Sequence, residues 1–176
     1  PVSIPSDAYD YSVINENRLY MPNSEYAQQA AAYLEQCISD QDSSGGLIEC
    51  IIEGMPAGVG EPVFDKLDAS LAKAVMSIGA VKGFEIGDGF GAAKVTGKYN
   101  NDEFVMKDSR VGKLTNHSGG VLGGISDGDE IVFRAAVKPT PSISALQETV
   151  NKQGEDIEVS IKGRPVSYTH LTLPTT

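Results

Sequence analysis

A chain of 176 residues is the size of one ordinary domain or of a part of a larger one. Hydrophobic residues make up 40% and charged residues 22%, enough apolar material to build a core. The formal net charge of −10 argues against nucleic acid and anionic membranes as partners, whose phosphates would be repelled.

No apolar run reaches membrane-spanning length. No secretory leader pattern is present, and the first residue is Pro1 rather than Met. Cys37 and Cys50 are too few for a disulfide framework. They read as reduced thiols of a cytoplasmic protein, with one disulfide as the alternative.

In chain order, Ser12-Val13-Ile14 and Arg18-Leu19-Tyr20 read as short strands. Asn23, preceded by Pro22 and followed by Glu25, reads as a helix N-cap. Ala27, Ala30, Ala31, Leu34, Cys37 and Ile38 follow at three- and four-residue steps, which predicts an amphipathic helix ending at Asp42 to Gly46. Residues 47–53 alternate, with Ile48, Cys50 and Ile52 on one face, and predict a half-buried strand. After a turn at Gly54–Gly60, the residues Phe64, Leu67, Leu71, Val75 and Ile78 mark a second helix. Val81 to Ile86 reads as a strand. The polar stretch 95–115 predicts a hairpin with a mobile tip at Asn100-Asn101-Asp102.

Residues 129–138 alternate again, with Ile131, Phe133, Ala135 and Val137 on one face and Arg134 and Lys138 on the other. The last strand is 156–162, with Ile157, Val159 and Ile161 inward. Strands with one polar face are typical of antiparallel sheets, and with two helices they predict an α+β fold. From Pro165 onward the pattern stops and charge disappears, so 165–176 reads as a foreign tail, with a true extension as the alternative, and His170 receives no role.

Two runs carry the functional signal. Asn116 to Gly128 holds five glycines in thirteen residues, and a backbone without Cβ atoms can approach a ligand closely. The run is neither a dinucleotide fingerprint nor a P-loop. Successive N–H groups there could cradle an anion, and a purely structural loop stands beside that reading. Lys138-Pro139-Thr140-Pro141-Ser142 leaves the strand in an extended backbone, so that one ammonium and two hydroxyls could converge on a phosphate. A plain strand exit with an exposed lysine is the alternative. Arg134, on the face of Lys138, either joins an anion site or is a solvated charge. Glu85, Asp88 and Asp102 lack a His or Cys at metal-ligand spacing, so no metal site is expected and a turn role fits Gly87-Asp88-Gly89. His117 is either a general base or a loop histidine with a local hydrogen bond.

These runs, in order and spacing, resemble chorismate synthases. The resemblance also rests on Ser44-Gly45-Gly46, on Gly54 to Ala69, on Met76 to Gly83, on Glu85 to Phe90, and on Lys162-Gly163-Arg164, which is similar to the start of the family's Gly-Arg-His-Asp-Pro-Cys signature. It covers about residue 20 to Arg164. It implies a partial family domain over 1–164, a fragment that starts after two catalytic histidines and most substrate-holding arginines, with Pro165 where the family has His-Asp. No catalytic residue is therefore expected within it, and the fragment is expected to be inactive alone.

The resemblance further implies a β-α-β sandwich of antiparallel sheets with helices packed between them, and a homotetramer. The implied reaction is trans-1,4-elimination of phosphate from 5-enolpyruvylshikimate-3-phosphate, with reduced FMN as cofactor and NADPH as a source of flavin reduction. By the same resemblance Gly79, Ala80 and Gly123 approach the flavin. Lys138, Pro139, Thr140, Pro141 and Ser142 line its phosphate-ribityl side, and Arg164 reaches the site. The competing expectation is a non-catalytic module that binds a phosphorylated small molecule or assembles with itself.

Overall fold

The computed structural model describes residues 2–107 and 109–161. The elements in chain order are α1 (Ser24–Ser39), β1 (Gly46–Ile52), α2 (Leu67–Met76), β2 (Val81–Ile86), α3 (Gly97–Asn100), β3 (Phe104–Lys107) and β4 (Arg110–Lys113). They continue with β5 (Val121–Leu122), β6 (Ile125–Ser126), β7 (Ile131–Val137), β8 (Gln147–Val150) and β9 (Asp156–Val159). Strand pairing among the described residues is antiparallel throughout, and the predicted α+β class holds. The chain divides into two compact units, one of residues 45–138 and one of residues 1–44 with 139 onward.

The unit 45–138 is organised on a sheet of order β1-β7-β2. Its central strand alternates as predicted: Ile131, Phe133, Ala135 and Val137 are buried, because a strand hydrogen-bonded on both sides presents alternate residues to one covered face. Val121, Ile131 and Phe133 form the core, and Leu67, Leu71 and Val75 of α2 pack against it with Cys50, Ile52, Phe84 and Ile86. Phe84 stacks on Phe133 at 5.3 Å. Each such side chain contributes roughly 1.5–3 kcal/mol when fully buried. Burial pushes the Cys50 thiol up, which keeps it an inert core side chain.

The second helix begins later than the apolar spacing predicts. Phe64 stands before it and is 91% exposed. The cause is local: the Glu61 amide bonds the Asp65 carbonyl at 2.9 Å and closes a loop around Phe64. Ile78 lies past the helix end. The first amide of α2, on Leu67, donates to the Gly124 carbonyl at 2.8 Å, so a loop carbonyl satisfies a helix-start donor that no side chain caps. The predicted hairpin in 95–115 exists, but its turn falls after Lys107, where Ser109 adopts φ 64. Asn100 closes α3 and Asp102 is tied into a polar cluster, so neither forms a mobile tip.

In the other unit, α1 starts where predicted. The Asn23 side chain accepts from the amides of Glu25 and Tyr26 at 3.0 and 3.2 Å. Asn23→Ala should destabilise this unit by about 1 kcal/mol, read as a fall in helical circular dichroism at the thermal midpoint. No loss would mean that solvent caps the helix equally well. Residues 12–14 form a 3₁₀ turn (Tyr11–Glu16) rather than a strand, because Asp10 accepts from both the amide and the hydroxyl of Ser12. Arg18 to Tyr20 form a turn held by the Asn17 side chain. β8 and β9 pair as a hairpin around Asn151, whose Oδ1 accepts from the amides of Gln153 and Glu155. Ile157 and Ile161, predicted inward, are exposed; Ile157 lies on a two-stranded ribbon, and β9 ends at Val159, before Ile161. Residues 162–176, including Arg164 and the expected foreign tail, lie outside the described residues.

Candidate functional site

Three of the predicted site residues meet at one corner of the sheet. Val81 opens β2 opposite Val137, the last residue of β7. That pairing brings the turn Gly79-Ala80 against Lys138, whose amide donates to the Ala80 carbonyl at 2.9 Å. Ala80 holds φ 71, a left-handed backbone that costs a residue with a Cβ roughly 1–2 kcal/mol. Such strain persists only where surrounding contacts enforce it, and it gathers at ligand clamps. Gly79 and Lys138 are both exposed at this corner.

The glycine-rich run is a small hairpin, β5 and β6, with Gly123 and Gly124 at its turn. It is fastened by Ser126, which donates its hydroxyl to the Pro56 carbonyl at 2.6 Å and accepts from the Val59 amide at 2.9 Å. The glycines divide into two kinds. At Gly119 a Cβ would fall 2.7 Å from Gly87 Cα, and at Gly120 it would fall 3.0 Å from Ile131 Cα. Those two are small because the protein's own backbone needs the space. At Gly123, φ 59, nothing lies within 4 Å of a Cβ. Gly123 alone of these three has room in front of it.

Pro139 to Ser142 belong to the other unit. The Thr140 carbonyl accepts from the Ser43 hydroxyl at 2.7 Å, and the Pro141 carbonyl accepts from the Gln147 side chain at 3.2 Å. The segment is held through its backbone, and among the described residues no hydrogen bond engages the Thr140 or Ser142 hydroxyl.

Arg134 is not the solvated charge of one reading. It sits on β7 directly between Glu49 of β1 and Glu85 of β2. Its guanidinium lies 2.8 Å from Glu85 and 3.9 Å from Glu49, and it donates to the Gly87 carbonyl. It is an ion-paired charge rather than a solvated one. His117 makes the local bond that one reading gave it: Nδ1 stands 2.7 Å from Asp88 Oδ2, and the Asp88 amide donates to the His117 carbonyl at 2.8 Å. This pair ties the Gly87-Asp88-Gly89 turn to the glycine-rich run.

The strongest electrostatic feature was not singled out in the sequence. Lys113 is 3% exposed. Its ammonium reaches Asp127 at 2.5 Å, Ser118 Oγ at 2.8 Å and Asn116 Oδ1 at 3.1 Å, with Asp129 at 3.6 Å and Asp102 at 3.7 Å. Burial alone would raise the Asp102 carboxyl. Hydrogen bonds from the Thr115 hydroxyl and from the amides of Ser118 and His117 outweigh it and hold Asp102 well below the usual carboxylate range. Residues 113–118 carry this lysine and the amides that Asp102 holds, so the network sets where the glycine-rich run begins. In the fold Lys113 ends β4 opposite Phe104, a pairing that the sequence alone does not reveal.

Residues 3–168 match the sequence model of the family described as chorismate synthase. A chorismate synthase of Lachnospira eligens is 73% identical over 163 residues, which is 93% of this chain and 44% of that protein. One of Agathobacter rectalis is 63% identical over 93% of this chain and 45% of its own length. A crystal structure of a chorismate synthase superposes with a TM-score of 0.70 at 33% identity, over 74% of this chain and 40% of that one. The chain thus spans less than half the length of these curated relatives.

Proposed function

The chain belongs to the chorismate synthase family, and from that premise we propose that it contributes the flavin-holding part of a lyase. The full reaction in this reading is trans-1,4-elimination of phosphate from 5-enolpyruvylshikimate-3-phosphate, carried out by a cytoplasmic homotetramer with NADPH as a source of flavin reduction. The observation that carries the assignment is the contact of Lys138 with the strained Ala80 turn at the end of the sheet. Within the unit 45–138 the donor set fits an anionic, planar cofactor: an ammonium on a strand exit, a strained turn and an open glycine.

In this proposal Lys138, Thr140 and Ser142 hold the cofactor phosphate and ribityl chain. Gly79, Ala80 and Gly123 offer backbone to the ring, Pro139 and Pro141 keep the segment extended, and Arg164 adds a cation. Reduced FMN, when bound, supplies electron density while the substrate's phosphate departs. The chain's own residues bind and orient it, and shield the site from water.

Flavin fluorescence titration of the 176-residue chain tests the assignment. The parent is expected to quench FMN saturably, and Lys138→Ala to weaken binding roughly ten- to a hundredfold, the scale of one lost charge-assisted hydrogen bond. FMN binding that ignores Lys138→Ala, or no binding by the parent, would overturn it.

A further inference from the structure

A cleft of about 560 Å³ opens in the unit 45–138. It shares no residue with the candidate flavin corner. One wall is α3 and the segment leading into β3, which supply Lys98, Tyr99, Asn101 and Glu103; the other supplies Leu114 and His117. The walls are joined by a bond from the Leu114 amide to the Glu103 carbonyl at 2.8 Å.

The lining has a definite chemical character. Tyr99 and Leu114 are 64% and 62% exposed, an apolar surface turned toward solvent in a concave place. The His117 ring leans on Tyr99 at 5.4 Å and 42°, and is fixed from behind by Asp88. Lys98 brings one ammonium and Glu103 one carboxylate, and among the described residues neither forms an ion pair.

An anion alone would meet the Glu103 carboxylate, and a cation alone would meet the Lys98 ammonium. A neutral apolar molecule would desolvate both charges with no return. A ligand bearing both charges next to a flat ring answers each group. We propose that this cleft binds the zwitterion of an amino acid with an aromatic side chain. Its carboxylate faces Lys98, its ammonium faces Glu103 and Asn101, and its ring packs on Tyr99, Leu114 and His117. Ring contacts of this kind supply most of the affinity, and the two exposed charges supply selectivity.

Calorimetric titration of the 176-residue chain tests this with three probes: L-phenylalanine, 3-phenylpropionate with the anion alone, and phenethylamine with the cation alone. L-Phenylalanine is expected to bind with a Kd of about 1 mM or tighter, and each single-charge probe at least about threefold more weakly. Lys98→Ala should erase the preference over phenethylamine, Glu103→Gln should erase the preference over 3-phenylpropionate, and Tyr99→Ala should weaken all three. These side chains are exposed, so the variants are expected to fold like the parent. No saturable binding of L-phenylalanine up to about 10 mM would overturn the proposal. Equal affinity for the three probes, or charge variants that keep the parent's preferences, would also overturn it.

Discussion

Lys113→Met is expected to remove about 3–5 kcal/mol of stability, the largest loss of any single change considered, because it strands buried carboxylates without their counter-charge. Asp102 and Asp127 side chains are 4% and 9% exposed, so water cannot replace the ammonium. Methionine keeps the length and the apolar stem, so the loss reports charge rather than volume. Urea unfolding of parent and variant would read it. A loss below about 1 kcal/mol would mean that the carboxylates find other partners. The same cluster predicts an acid limb. Asp102 is depressed in the folded protein, so its contribution is fully present above the ordinary carboxylate pKa of about 4 and fades as pH falls below that value. Asp102→Asn should flatten this limb while leaving the dependence above pH 5 unchanged.

Gly120→Ala should cost about 2–5 kcal/mol, the sum of a left-handed backbone at φ 79 and a Cβ driven against the backbone of Glu130 and Ile131. Gly123→Ala carries only the first of these terms, about 1–2 kcal/mol. The contrast separates a glycine needed by the fold from one that leaves space open. Equal losses in thermal unfolding would show that the hairpin packs differently. Should Gly123→Val then hinder FMN while remaining folded, the hindrance would come from the ligand side, since no protein atom stands where the branched carbon would go.

The readable parts of the sequence were those governed by neighbours. Asn23 caps its own helix, and the alternation over 131–137 follows from one covered face of one strand. The backbone contact of Lys138 with Ala80 follows once β2 and β7 are paired. The polar cluster was not legible in this way. Asp102, Lys113 and Asp127 are spread over 26 residues and carry no periodic signature, so a polar stretch read as a hairpin with a mobile tip encloses a buried charge. Phe64 failed for the opposite reason. Its spacing from Leu67 and Leu71 suits a helix, but the bond between Glu61 and Asp65 closes the chain before the helix begins.

Arg134, held between Glu49 and Glu85, has a consequence for how the sheet finds its alignment. Successive strand residues point to opposite faces, so an edge strand that slipped by one residue would send its glutamate to the apolar side beside Phe133 and set Arg134 against a hydrophobic neighbour. Each misaligned pairing would desolvate one or two charges with no compensation. The trio therefore acts as a proofreading device for assembly. It adds little to the correct sheet compared with the penalty it sets on the wrong ones, and it guards both edges from the single strand they share.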